Sequence, residues 1–189
     1  MKKRIILLII LCLLSCKKSS AESSEAKILE IQENYKNKIK DTYTISNSTT
    51  TSDKAVEELI YEIKTYKLDN EKKEIELNYA CNEEETKEIL LPNTYDSGTL
   101  TSSMEPDKAW DMMKYRKSMG VESIHRKLKE KEIISIQTIW KEQKRNLHSL
   151  VGHVVGKVFV RTKEGPIELE EIKLVIEHKN QFKVCVISK

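Results

Sequence analysis

The sequence predicts an α+β fold, with N-terminal amphipathic helices followed by a C-terminal four-stranded antiparallel meander. Three observations carry that expectation. Apolar residues recur at spacings of three and four over residues 26–67, the period changes to two from Ile133 onward, and the links between the period-two segments are short. Helices and a sheet that are each apolar on one side bury those sides on each other, which gives layers of helix on sheet. Short links make successive strands antiparallel neighbours.

The first helix is predicted over Ala26 to Asp41, where Ile28, Ile31, Tyr35 and Ile39 form one stripe among Glu, Gln, Asn and Lys. Thr42 to Ser52 is polar and without period, and is expected to be a loop. Asp53 to Lys67 is a second helix with Val56, Leu59, Ile60, Ile63 and Tyr66 on one face and Glu57 and Glu58 near its positive end. The two make an expected helical hairpin over residues 26–68. Glu74 to Ala80 fits either a strand, with Ile75, Leu77 and Tyr79 alternating, or a helical extension. Asn82 with Glu85 three residues later has the form of a capping box, and Leu91-Pro92 stops the helix it opens, because a residue before proline disfavours the α conformation. Asn93 to Ser103 is a loop with a turn at Asp96-Ser97-Gly98. Pro106 and Asp107 open a helix carrying Ala109, Trp110, Met112, Met113 and Met119, which Gly120 is expected to close, and Val121, Ile124 and Leu128 mark a shorter helix beyond it.

From Ile133, alternation of Ile134, Ile136, Thr138 and Trp140 with their neighbours predicts a strand, and the valine-rich Val151 to Arg161 predicts a second. Thr162 to Pro166 is a turn, Ile167 to Glu177 a third strand and Phe182 to Ile187 a fourth, so the sheet is expected over residues 132–188. The apolar phase of the third strand slips between Leu169 and Ile172, which predicts a β-bulge near Glu170-Glu171. Trp140, Phe159, Ile172, Leu174 and Val184 are expected to be buried between meander and helices. Val158-Phe159-Val160, the Gly165 turn, Ile172 to Ile176 and Phe182-Lys183-Val184, following helices, resemble the cystatin-like and NTF2-like (nuclear transport factor 2-like) folds of small bacterial lipoproteins. That likeness implies a curved sheet wrapped on helices, and no particular activity.

The N-terminus carries a separate signal. Lys2, Lys3 and Arg4 precede an unbroken apolar run of ten residues, Ile5 to Leu14. A bilayer-spanning helix needs about 20 apolar residues, so the run is too short to span and has the form of an export signal. It ends in Leu13-Leu14-Ser15-Cys16, which resembles the lipobox of bacterial lipoproteins. The resemblance implies cleavage before Cys16, acyl chains such as palmitate on that cysteine, and attachment to the inner or outer membrane of a bacterial envelope. Each buried methylene contributes about 0.8 kcal/mol, so two or three chains hold a protein where one does not. The expected organisation is a signal segment 1–15, a lipidated cysteine with a polar tether 16–25, and one domain 26–189.

Charge excludes one class of partner. Three of the 33 basic residues, Lys2, Lys3 and Arg4, lie in the signal segment, which leaves 30 against 30 acidic residues. A neutral body lacks the basic footprint of a nucleic-acid-binding protein. Charge is nevertheless uneven along the chain. Lys108 to Arg145 holds eleven basic and five acidic residues, and Asp69 to Glu88 eight acidic and three basic.

Candidate chemistry is sparse. Cys81 and Cys185 remain after Cys16 is assigned to lipid, and form either a disulfide or two buried thiols. His148 and His153 stand five apart, which is not the i, i+4 spacing of HExxH, and no metal site is expected. There is no G-x-S-x-G elbow, and with five glycines in the chain there is little material for phosphate-cradling loops, so no catalytic residue and no cofactor are expected. Two stretches fit binding. The Met- and Trp-rich stripe of Trp110, Met112 and Met113 suits either core packing or an apolar ligand, and Thr99 to Ser103, four hydroxyl residues in five beside Gly98, suits either a loop or an anion or sugar site. The expected function is that of a membrane-anchored, non-catalytic binding or structural module for a protein, an envelope polymer or a small apolar ligand. The alternative is an envelope hydrolase assembled from dispersed His, Glu and hydroxyl residues.

Overall fold

The computed structural model describes residues 24–67 and 75–189. The signal segment and Cys16 lie outside the described residues. The α+β architecture is present, with helices first and an open antiparallel sheet after them. Helix α1 runs over residues 24–36, so it takes in the last two residues assigned to the tether and ends short of Asp41. It buries Ile31 and Tyr35 but leaves Ile28 exposed. Helix α2 (Ser52–Thr65) starts at Thr51, whose hydroxyl accepts from the Lys54 N–H. Ala55, Val56, Leu59, Ile60 and Ile63 form its buried stripe. The two helices do not share an apolar cluster: Ile31 and Tyr35 pack with Leu91 and Ala109, whereas α2 joins the main core.

The short α3 (Glu83–Glu85) opens on the expected capping box, with Asn82 Oδ1 accepting from the Glu85 N–H at 2.8 Å and Glu85 returning a bond to the Asn82 N–H. It continues into a π-helical turn, Thr86–Leu90, and a 3₁₀ turn, Pro92–Thr94. Helix α4 (Pro106–Leu128) passes straight through Gly120, contrary to the expected stop there. The glycine serves a close approach instead. A Cβ at that position would lie 2.8 Å from Ile187 Cγ2 and 3.3 Å from the Ser188 nitrogen, so the helix can seat against the end of the sheet only without a side chain.

The sheet has six strands, β1 (Ile133–Trp140), β2 (Arg145–Leu147), β3 (Leu150–Thr162), β4 (Gly165–Leu169), β5 (Ile172–His178) and β6 (Gln181–Ile187), not the four expected. The meander order holds, but the long β3 is flanked on each edge by an interrupted partner. β1 and β2 pair with successive parts of one edge, and β4 and β5 with successive parts of the other. The first interruption adds β2, three residues that are too short to show a period. The second falls at the Glu170-Glu171 phase slip. Glu171 turns inward there and accepts from Ser123 Oγ and Lys127 Nζ, both at 2.7 Å, while its carbonyl accepts from the Ser188 N–H. Thr49 and Phe182 exchange two backbone bonds, and the Cys81 N–H donates to the Val184 carbonyl, covering the free edge of β6.

Successive residues of β5 and β6 point to opposite faces, and both faces are buried. Val175 and Val184 face α2 and the C-terminal half of α4, which contributes Val121, Ile124 and Leu128. Ile176 and Cys185 face Tyr43, Ile45, Cys81, Ile89 and Leu90. Of the five residues expected to be buried, Ile172 and Val184 are, while Trp140, Phe159 and Leu174 are half-buried. In β1 a register shift between Ile133 and Ser135 turns Ile133 inward and leaves Ile134 55% exposed. A buried ion pair ties the layers. Lys183 Nζ lies 2.7 Å from Glu85 Oε2 and also donates to the Ser46 carbonyl, and Glu85 Oε1 accepts from both the N–H and the hydroxyl of Ser46. Among the described residues no helix is long and apolar enough to cross a membrane.

Candidate functional site

A cavity of about 290 Å³ lies between the N-terminal half of α4, the segment around residues 86–101 and the second face of the sheet. Its walls follow from helix and strand periodicity. Trp110, Met113 and Lys117 fall at i, i+3 and i+7, one face of α4. Leu147, Val154, Leu174 and Val186 reach in from four different strands. Leu174 sits between two register shifts of the β5–β6 ladder, irregularities that re-aim a side chain relative to its neighbours. Leu90 and Leu91, both buried, also line it.

Polarity is arranged unevenly around this apolar space. Lys117 is buried, with Nζ 5.4 Å from the centre of the Trp110 ring and 3.4 Å from the Cys81 carbonyl oxygen. Arg116, Arg145 and Lys173 also line the cavity but are exposed, so they stand at its mouth, and none has an ion-pair partner among the described residues. No carboxylate and no histidine is among the lining residues. Hydroxyls of Ser97, Thr99 and Thr101 are strung along another part of the wall, 3.0 Å from one to the next. The Trp110 indole N–H is buried and lacks a hydrogen-bond partner among the described residues.

Cys81 and Cys185 form part of the same wall and lie side by side, with Cα atoms 4.7 Å apart at a sequence separation of 104. The histidines are engaged elsewhere. His178 accepts from the Tyr43 N–H at 3.1 Å and pairs with the Ser149 carbonyl, and His125 bonds the Ile63 carbonyl. His148 stacks on Tyr95 beside Asp96. His153, buried, lies 2.6 Å from Glu177 between Trp140 and Phe182, and among the described residues no hydroxyl is bonded to it. Only His148 with Asp96 and His153 with Glu177 are histidine–carboxylate pairs among the described residues, and no histidine lines the cavity. No group of three metal-ligating side chains converges among the described residues.

Titration shifts fall outside the cavity. Burial of the Tyr35 ring, with Glu105 and Asp107 nearby, pushes its phenol up to about 12, and its hydroxyl donates to the Met104 carbonyl. Burial alone would push Glu171 up, but hydrogen bonds from Lys127 and Ser123 outweigh it and hold the carboxyl below its ordinary value.

The sequence singled out three of the stretches that meet here: the Trp110–Met113 stripe, the hydroxyl run after Gly98 and the basic segment ending at Arg145. It gave no reason to join them, and Lys173, alone among apolar neighbours on β5, carried no signal. No protein-family model, no curated protein and no solved structure matches the chain.

Proposed function

We propose that this chain is an envelope lipoprotein, held to a membrane by acyl chains on Cys16, whose body is a non-catalytic module that takes a small apolar ligand into the cavity beside α4. The single observation that supports the binding reading is the lining of that cavity: apolar side chains from α4 and four strands, with neither a carboxylate nor a histidine to do acid–base work. Ligand sites of this kind are largely apolar with a few polar groups, and run from about 300 Å³ upward, which puts this cavity at the small end. The membrane reading rests on Lys2 to Cys16. The likeness to cystatin-like and NTF2-like domains belongs to the same proposal, since a curved sheet on helices leaves room for such a space. We also read Cys81 and Cys185 as a disulfide of an oxidising compartment, fixing the cavity wall.

The anchor is tested in cells fed an alkyne fatty acid. The native chain takes up label and sediments with membranes, and Cys16→Ser does neither. Equal labelling of the Cys16→Ser chain contradicts the anchor. The binding reading is tested by whether apolar photoreactive probes label cavity residues at all.

A further inference from the structure

We infer that the ligand of this cavity is an anionic amphiphile, one hydrocarbon chain ending in a carboxylate or phosphate head. The inference rests on the reading of the cavity as a ligand site and adds to it the chemistry of the ligand.

The distribution of charge carries it. Arg116, Arg145 and Lys173 come from three separate elements, α4, β2 and β5, and line one cavity whose described lining holds no carboxylate. Three like charges around one opening repel each other unless an anion enters, and guanidinium groups suit the planar oxygen pairs of carboxylate and phosphate. The hydrocarbon chain beyond the head lies against Met113, Leu174 and Val186. An uncharged hydrocarbon does not answer that charge, and a cation is opposed by it.

The full chain, reconstituted in phosphatidylcholine vesicles to avoid detergent, is exposed to diazirine-bearing dodecanoate, dodecyl phosphate, dodecanol and dodecyltrimethylammonium. Labelled peptides are then mapped. The two anions label α4 and β5 peptides at lower concentration than the alcohol, and the cation labels least. Changing Arg116, Arg145 and Lys173 together to Gln removes exposed charges without touching the core. Exposed charge pairs contribute at most about 1 kcal/mol each, so the triple variant weakens anion labelling about tenfold to hundredfold and leaves the alcohol unchanged. A second arm adds phosphatidylglycerol to the vesicles. If it suppresses labelling, the anion is a bilayer lipid, and if it does not, the anion arrives free of the bilayer; both results support the inference. Equal cavity labelling by all four probes, or an unchanged anion preference in the triple variant, overturns the inference and leaves the cavity a ligand site. Absence of cavity labelling by every probe overturns both.

Discussion

The two halves of α4 are one continuous helix with opposite surroundings. Beyond Gly120, Val121, Ile124 and Leu128 are fully buried against α2 and the sheet, in a cluster that holds no unpaired polar group among its members. Before Gly120, Trp110, Met112 and Met113 face a cavity, and Trp110 carries a buried donor without a described partner. Helical propensity does not make this difference, because the helix runs through both. What changes is the surface opposite. The C-terminal half meets β-branched side chains that interdigitate with it. The N-terminal half meets a sheet face stepped by bulges and a segment of short, irregular turns that cannot fill the space. A helix can thus be a structural member at one end and a binding wall at the other, with a single glycine where it is pinned to the sheet.

Substitutions separate the two halves, and the largest effect is expected at the tie on the cavity wall. Replacing both Cys81 and Cys185 with Ser opens a loop of 104 residues, for which the chain-entropy model gives roughly 4–5 kcal/mol. Denaturation of oxidised and reduced chain measures it, and coincident curves argue that no disulfide forms. Next, Ile124→Ala in the packed half removes a fully buried side chain and lowers unfolding free energy by about 2–5 kcal/mol. A loss below about 1 kcal/mol would mean that this half is not the core.

Gly120→Ala gains helical propensity but drives a methyl into Ile187 and the Ser188 backbone, and a net loss of about 1–2 kcal/mol is expected in the same measurement. Stabilisation would show that α4 is not pinned there. A smaller effect is expected in acid. Glu171 has its carboxyl held below the ordinary 4.5 in the folded state by Lys127 and Ser123. Its contribution is therefore present above about pH 4.5 and is lost as pH falls through the depressed value. Glu171→Gln should lower stability at neutral pH and flatten the acid limb of a stability–pH curve. An unchanged limb would show that the inward turn of Glu171 contributes nothing.

The sequence made one half of α4 far more legible than the other. Val121, Ile124 and Leu128 at spacings of three and four declare a buried stripe, as do the residues of α2, and strand periodicity found β3, β5 and β6. The capping box at Asn82 was also readable, because it rests on local chemistry, and the phase slip at Glu170-Glu171, read as a bulge in one strand, marks the place where that strand divides in two. Strand number was not, since β2 spans three residues and its pairing with β3 depends on a partner rather than a pattern. Gly120 misled for the same reason: its role is a contact with Ile187, far along the chain, where local rules see only a helix stop. The cavity was the least legible feature. Periodicity marks which side chains turn inward but cannot tell a filled interior from an unfilled one. Trp110, Met112 and Met113 therefore look the same in sequence as a core stripe, and a lone Lys173 on β5 looks like an ordinary solvated position.

The claim that the N-terminal half of α4 faces a ligand site is tested most directly by filling it. Leu174→Trp adds bulk to the cavity wall. In a packed core such overpacking costs about 1–3 kcal/mol, whereas in an open cavity the ring has room. The account predicts that the full chain carrying Leu174→Trp unfolds within about 1 kcal/mol of the native protein while losing photolabelling by dodecanoate. A loss of about 3 kcal/mol or more, or labelling that persists unchanged, would contradict it.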